Sequence, residues 1–329
     1  MVNFAAAADV DAVVSEAAGE YMAAPHTVGL SIGVIQAGTS HSYHFGSVSK
    51  EQIQPPDDRT IYPIASLTKT FTGTLLAQAQ LDNKLKVDDD VRRYVDAPNL
   101  VFEQQPVRLY HLLNHRSGLP FMLLQDDFYA ALRQVKLTSA PGSHFQYSNA
   151  AAQLAGYILE GAYGSSFETQ LKQRIANPLG MTDTVITLSP QQQAREVAGY
   201  DESGTRQPYG SDQVQAAGAL KSTLADMLKY AQWQLAESDP AVRLSHQATY
   251  TDDDFSIGLN WQMLTREQRR VIWQDGTIPG FGSMVVLEPD SGIAVVVLSN
   301  ELDATTLGRF RKLVNDITSK LDARSLAVP

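Results

Sequence analysis

Apolar positions recur every three to four residues over 9–24, where Val10, Val13, Val14, Ala17 and Tyr21 share one side, and this spacing predicts an amphipathic helix. The period then shortens. Segments 28–36 and 42–48 are extended in character and are separated by Ala37-Gly38-Thr39, which reads as a hairpin. From Ser66 to about Ala236 the pattern is mostly helical. A run of good helix formers covers 70–81, and further helices are expected near 107–114, 127–134, 149–163, 167–175 and 223–236, joined by loops marked with Gly and Pro. Strand character returns at 255–263, 271–274, 283–287 and 293–298, with Glu288-Pro289-Asp290-Ser291-Gly292 as a tight turn, before a last helix over 304–321.

The two ends of the chain complement each other. A helix and hairpin at the start, with strands and a helix at the finish, predict an α/β fold in which one antiparallel sheet is flanked by the terminal helices. Residues 1–65 and 245–329 would form this sheet lobe, and residues 66–244 an inserted, mostly helical lobe. Ser66 would then lie at the seam, where ligand clefts usually occur.

At 329 residues the chain is long enough for one large domain or two intimately packed ones. A net charge of −10 without a basic run gives a field that repels phosphate backbones and anionic surfaces, so nucleic acid is not an expected partner. The absence of cysteine excludes disulfides, thiolate metal sites and a cysteine nucleophile, and is compatible with export or a cytosolic life. No run approaches the roughly 20 apolar residues of a membrane span, and the first nine residues lack the charged and apolar regions of a signal peptide. Ala5 to Ala8 read either as the remnant of a trimmed leader, which would place the protein in the periplasm or outside the cell, or as the lead-in to the first helix.

The candidate chemistry starts at Ser66-Leu67-Thr68-Lys69. On a helix, residues three apart share a face, so the Lys69 amine reaches the Ser66 hydroxyl. A serine is a weak nucleophile until a base takes its proton, and a lysine whose pKa is lowered by burial does this. A helix start also presents unpaired N–H groups and a positive dipole end to a developing oxyanion. The spacing alone is a weak signal, expected by chance roughly once in a chain of this length. Ser47-Val48-Ser49-Lys50 repeats it, but in loop chemistry ahead of Gln54-Pro55-Pro56-Asp57-Asp58, and is set aside.

Further stretches accompany it in order: Leu112-Leu113-Asn114-His115-Arg116-Ser117-Gly118-Leu119-Pro120, Gln146-Tyr147-Ser148-Asn149, Asn177-Pro178-Leu179-Gly180-Met181, Ala217-Gly218-Ala219-Leu220 and Pro279-Gly280-Phe281-Gly282-Ser283. With these the chain resembles, over nearly its whole length, the serine β-lactamase and penicillin-binding protein superfamily. The resemblance is to the branch holding class C β-lactamases, D-alanyl-D-alanine carboxypeptidases, D-aminopeptidases and family VIII carboxylesterases. It implies a β-lactamase/transpeptidase-like fold and an acyl-enzyme on Ser66, with no metal or cofactor. Tyr147 matches the tyrosine of the family's Y-x-N motif, which implies that its phenol relays protons between Ser66, water and the leaving group; read without Ser66, it is more readily a buried core tyrosine. Asn149 would contact substrate and steady Lys69, or simply begin the helix that follows. The tyrosine distinguishes this site from the class A pattern, which has S-D-N here.

One motif departs. Where the family carries Lys or His, then a variable residue or Thr, then Gly, this chain has Gln274-Asp275-Gly276. A neutral Gln274 followed by an acidic residue should weaken binding of a free carboxylate. Gly276 is retained and lets backbone approach a ligand, and the resemblance implies that the N–H groups of Thr277 and Ser66 form the oxyanion hole. Trp273 reads as pocket lining or as a core aromatic. Arg269 or Arg270 would restore a cation only if strand alternation allowed it; otherwise they are a solvated pair. His115 reads as structural, and the runs Asp88–Asp90 and Asp252–Asp254 as loop charges or caps. The expected function is a carboxylesterase or amidase acting on small uncharged esters or amides. The alternatives are a D-alanyl-D-alanine carboxypeptidase or class C-like β-lactamase, and a penicillin-binding sensor that acylates without turnover.

Overall fold

The structure, a computed structural model, describes residues 9–123, 127–210 and 214–329. Ala5 to Ala8 lie outside the described residues. The first amphipathic segment forms helix α1 (Val10–Met22), capped by the Asp9 carboxylate, which accepts from the Asp11 amide at 3.1 Å. The hairpin follows as β1 (Gly29–Gln36) and β2 (Thr39–Gly46). Six strands from the C-terminal part join them: β3 (Tyr250–Asp252), β4 (Phe255–Ile257), β5 (Gln262–Arg266), β6 (Arg269–Ile278), β7 (Phe281–Glu288) and β8 (Ile293–Ser299). The result is one eight-stranded antiparallel sheet in the order β2-β1-β8-β7-β6-β5-β4-β3. The ends of the chain meet where β1 pairs with β8, Leu30 opposite Ser299.

Four more helices build the rest of the frame: α2 (Thr68–Leu81), α3 (Asn149–Tyr163), α4 (Leu224–Ala236) and α5 (Thr306–Leu321). On one face of the sheet, Leu30, Ile32, Val295 and Val297 pack against Val14 of α1 and Phe310 and Val314 of α5. On the other face, Ile35, Val285, Val296 and Leu298 meet Leu224 and Leu228 of α4, and the same core runs on into Phe71 and Leu75 of α2 and Leu154 of α3. Gly33 allows α4 this close, since a Cβ there would stand 2.7 Å from Leu228 Cδ2. Every residue of β7 and β8 is buried because both faces are covered, which is why these segments read as nearly continuous apolar runs.

Four expectations are corrected in extent. The strand over 255–263 is two strands, broken at Gly258-Leu259-Asn260. There Asn260 takes a left-handed φ of 63°, its Nδ2 donates to Lys69 O at 2.9 Å, and its N–H donates to Leu113 O at 2.9 Å. The break fastens the sheet to α2. The strand over 271–274 extends in both directions to Arg269–Ile278, because its ladder with β7 continues through Gly276 opposite Ser283 and Ile278 opposite Phe281. The helix over 107–114 shortens to Leu109–Leu113, since Val107 exchanges backbone hydrogen bonds with Leu100 and Val91. The helix over 167–175 is α-helical only over Phe167–Leu171 and continues as a π-turn over Lys172–Ala176.

Helix α2 carries the site, and its burial is unusual for its composition. Thr68, Thr70, Thr72 and Thr74 are all buried, and each hydroxyl donates to a backbone carbonyl: Ala65 O (2.7 Å), Leu67 O (2.8 Å), Ala216 O (2.7 Å) and Thr70 O (2.9 Å) respectively. Satisfied in this way, threonines take the place of apolar residues inside the core.

Candidate active site

Ser66 sits in a 3-10 turn, Ala65–Leu67, that leads directly into α2. The residue before it, Ala65, is buried with φ of 47°, a left-handed conformation costly for a residue with a Cβ, so the turn that presents Ser66 is held by its surroundings. Those surroundings include β7. Ser283 Oγ donates to Ile64 O at 2.8 Å, and Leu220 O accepts from the Ile64 amide at 2.9 Å.

Lys69 lies one turn further on, fully buried. Its Nζ is 3.0 Å from Ser66 Oγ, 2.7 Å from Asn149 Oδ1 and 2.6 Å from Ala217 O. Burial brings its ammonium down from the ordinary lysine value to about 7. Tyr147 reaches the same oxygen from the other side, its hydroxyl donating to Ser66 Oγ at 2.7 Å, and its ring lies 4.8 Å from Lys69 Nζ. Burial pushes the Tyr147 phenol well above its ordinary value, against the lowering effect of the Ser66 hydrogen bond. The phenol is therefore protonated when Lys69 is neutral.

Asn149 does not cap the helix that it opens. That part falls to Ser148, whose Oγ accepts from the Ala151 amide at 2.9 Å, and the Asn149 side chain is left for Lys69. Gly276 sits where β6 passes Ser66: a Cβ there would be 2.7 Å from Ser66 N and 2.8 Å from Ile64 O. Only glycine permits this approach. Thr277 follows on the cavity wall.

Ser66, Tyr147, Asn149, Gln274, Gly276 and Thr277 line a cavity of about 340 Å³. Gln274 is buried and faces Gln262 on β5, whose Nε2 donates to Gln274 Oε1 at 3.0 Å. Rings line the same cavity. Phe121 and Phe145 line the cavity at 58 % and 53 % exposure, and they are two of only four large hydrophobic side chains exposed among the described residues. No lysine or arginine appears among the described residues of the cavity lining.

Several sequence candidates lie elsewhere. Trp273 points to the far face of the sheet and packs beside Phe255, so it is a core aromatic. Arg269 pairs with Asp322 at 2.7 Å and Arg270 with Glu237 at 2.7 Å, so they are ion-paired rather than a solvated pair, and neither supplies a cation to the cavity. Asp275, by contrast, lines the cavity beside Gln274; it is paired with Arg311 at 3.7 Å, and burial raises its carboxyl while that cation opposes the shift. Ser47 to Lys50 are in a loop, with Lys50 over the Tyr200 ring. Asp88, Asp89 and Asp90 pair with Arg108, Arg93 and Arg92, and Asp254 pairs with Arg266. Among the described residues no group of His, Cys, Asp and Glu is placed to hold a metal ion, and no helix is long and apolar enough to cross a membrane.

Some functional contacts have no sequence signal of their own. Ala217 acts through its carbonyl, which any residue possesses. Gln262 meets Gln274 only because β5 and β6 pair.

The β-lactamase family model matches residues 14–316, and the chain belongs to that family. It is 26 % identical to a β-lactamase of Pseudomonas fluorescens, over 90 % of this chain and 94 % of that protein. It is 24 % identical to the D-alanyl-D-alanine-carboxypeptidase/endopeptidase AmpH of Escherichia coli (strain K12), over 92 % of this chain and 87 % of that one. In fold it is similar to a class C β-lactamase mutant, with a TM-score of 0.87 at 22 % identity, covering 96 % of this chain and 99 % of the other.

Proposed function

We propose that the protein is a serine hydrolase that forms an acyl-enzyme on Ser66 and acts as a carboxylesterase or amidase on small, uncharged acyl substrates. The observation that carries the chemistry is the convergence of Lys69 Nζ and the Tyr147 hydroxyl on Ser66 Oγ at 3.0 and 2.7 Å. Neutral Lys69 has two N–H bonds, and Asn149 Oδ1 and Ala217 O accept both, which turns the lone pair toward Ser66. Lys69 then takes the Ser66 proton as the oxygen attacks the carbonyl carbon.

The backbone N–H groups of Ser66 and of Thr277, the residue after Gly276 where β6 passes Ser66, are assigned to the oxyanion, where losing one donor typically costs ~100- to 1,000-fold in rate. Tyr147 hands its proton to the leaving group and regains one from Lys69. In the second half the same pair takes a proton from water as it attacks the ester carbonyl, and returns that proton to Ser66 Oγ as the ester bond breaks. This site lies at the seam proposed between a sheet lobe (1–65 and 245–329) and a helical lobe (66–244).

The substrate class follows from the cavity walls. The neutral pair Gln274 and Gln262 donates and accepts hydrogen bonds but cannot neutralise a carboxylate, and the Phe121 and Phe145 rings in the same lining favour an apolar substituent. A second reading, hydrolysis of β-lactams or of D-alanyl-D-alanine peptides, is favoured by the names of the relatives and opposed by Gln274.

The test is a paired assay of wild type and Ser66→Ala on p-nitrophenyl acetate and butyrate beside a chromogenic cephalosporin. Ser66-dependent ester turnover with slow cephalosporin cleavage supports the esterase reading. Rapid cephalosporin hydrolysis moves the assignment to a β-lactamase, and a stable adduct without turnover moves it to a sensor.

A further inference from the structure

His115 is only 4 % exposed, takes a left-handed φ of 58° and lines the cavity without a hydrogen bond to Ser66 or Lys69. Its contacts all bear on the residues around Tyr147. The His115 carbonyl accepts from the Gln146 amide at 2.7 Å, and its Nδ1 accepts from the Ser148 amide at 3.2 Å. Between these two bonds its ring packs on the Tyr147 ring, centroids 4.3 Å apart at 33°. The backbone on both sides of Tyr147 and the face of its ring are thus held by one residue.

We propose that His115 is a positioning residue for Tyr147, clamping the phenol so that its hydroxyl stays on Ser66 Oγ. The inference rests on the proton-relay role assigned to Tyr147 above. The alternative, that His115 merely ties two loops together, is answered by the other contacts in the same place. Arg116 donates to Gly142 O (2.8 Å) and Ser143 O (3.0 Å), and Arg116 O accepts from the Gly142 amide (2.7 Å). Pro120 O accepts from Ser148 Oγ (2.6 Å), and Phe121 O accepts from the Asn149 amide (2.8 Å). The loops are anchored on both flanks without the His115 ring, which packs more closely on Tyr147 than on its other ring neighbour, Phe145, met edge-on at 5.8 Å.

The clamp also specifies a protonation state. Because Nδ1 accepts a backbone N–H, the ring proton resides on Nε2, which is buried without a partner. An imidazolium would set N–H against N–H at Ser148 and place a second cation beside Lys69. Burial first, and then the Lys69 charge, bring the imidazole down to about 3, so the ring stays neutral while Lys69 titrates.

The clamp separates into parts by substitution. His115→Asn keeps an acceptor near the position of Nδ1 and suits a left-handed φ, but loses the ring; His115→Phe keeps a ring and loses the acceptor. The experiment is a double-mutant cycle with Tyr147→Phe, reading kcat and KM on p-nitrophenyl butyrate, with thermal unfolding as a check that each variant is folded. We expect His115→Phe to lower kcat on the order of 10- to 100-fold with KM within about twofold, since small misplacements of a reacting group carry such costs. His115→Asn should lose less. In the Tyr147→Phe background either substitution should change kcat by less than about twofold.

Equal fold-losses in both backgrounds would overturn the proposal, as would full activity in a folded His115→Phe. If the wild type shows no Ser66-dependent turnover, the hydrolase reading fails instead. The clamp is then read from the ring-carbon chemical shifts of Tyr147, assigned by their loss in Tyr147→Phe. A shift in His115→Phe supports the clamp, and unchanged shifts reject it.

Discussion

Lys69 Nζ stands 3.0 Å from Ser66 Oγ, and its two other hydrogen-bond partners are both carbonyl oxygens, Asn149 Oδ1 and Ala217 O. Among the described residues no carboxylate holds the ammonium form, and burial alone brings its pKa to about 7. The rate of acylation should therefore rise with pH through about 7 as Lys69 becomes a free base. A pH profile of kcat/KM on a neutral ester checks this, and a flat profile between pH 5 and 9 contradicts it. Stability should follow the same group. The folded pKa lies below the unfolded value of 10.5, so the unfolded chain binds more protons between about 7 and 10.5, and this group's contribution rises with pH across that window.

Asn149 sets both the direction and the charge state of that amine. Asn149→Asp should place a carboxylate 2.7 Å from Nζ, favour the ammonium and move the ascending limb of the pH profile to higher pH. Asn149→Leu removes the acceptor without adding charge and should lower kcat by ~10- to 100-fold through misorientation. An unmoved limb in the aspartate variant would show that this contact does not govern Lys69.

Gln274 marks the substrate. Gln274→Lys puts a cation where the described lining has none, at the price of the Gln262 hydrogen bond, and should raise kcat/KM on carboxylate-bearing substrates relative to neutral esters. The comparison is a pair of matched esters differing in one terminal carboxylate. An unchanged ratio would remove the argument for uncharged substrates.

Much of this was legible in the sequence because it depends on local period. The Ser66 to Lys69 contact follows from three-residue spacing on a helical turn, and β7 and β8 follow from apolar runs bounded by Gly/Pro turns. Other features depend on contacts between distant segments. Asn260 breaks an otherwise strand-like run to hold the Lys69 carbonyl, the side to which Trp273 points is set by the register of β6, and Ala217 contributes only backbone. The cap role suggested for Asn149 belongs to its neighbour Ser148, since two adjacent polar residues at a helix start cannot be ranked without knowing which one meets Lys69.

Glu301 offers a test of the fold that is independent of the site. It is 1 % exposed, accepts from the Tyr21 hydroxyl at 2.5 Å and lies 3.5 Å from Arg309, tying α1 and α5 to the strand end after β8. Burial pushes its carboxyl up to about 7, only partly opposed by Tyr21 and Arg309. The folded state thus binds more protons than the unfolded one between about 4.5 and 7, and this group's contribution falls as pH rises through that range. Glu301→Gln keeps the acceptor for Tyr21 and removes the buried charge. It should raise Tm by a few degrees at pH 8 and little at pH 5, as measured by thermal unfolding at the two pH values. An equal change at both would show that the charge is not the cause.

The central claim, covalent catalysis at Ser66, is tested most directly by intact-protein mass spectrometry of acid-quenched mixtures of enzyme and p-nitrophenyl acetate, followed by peptide mapping. The account predicts a transient acetyl adduct on the peptide containing Ser66 that is absent in Ser66→Ala, together with loss of turnover in that variant. Undiminished turnover by Ser66→Ala, or an adduct on another residue, would contradict it.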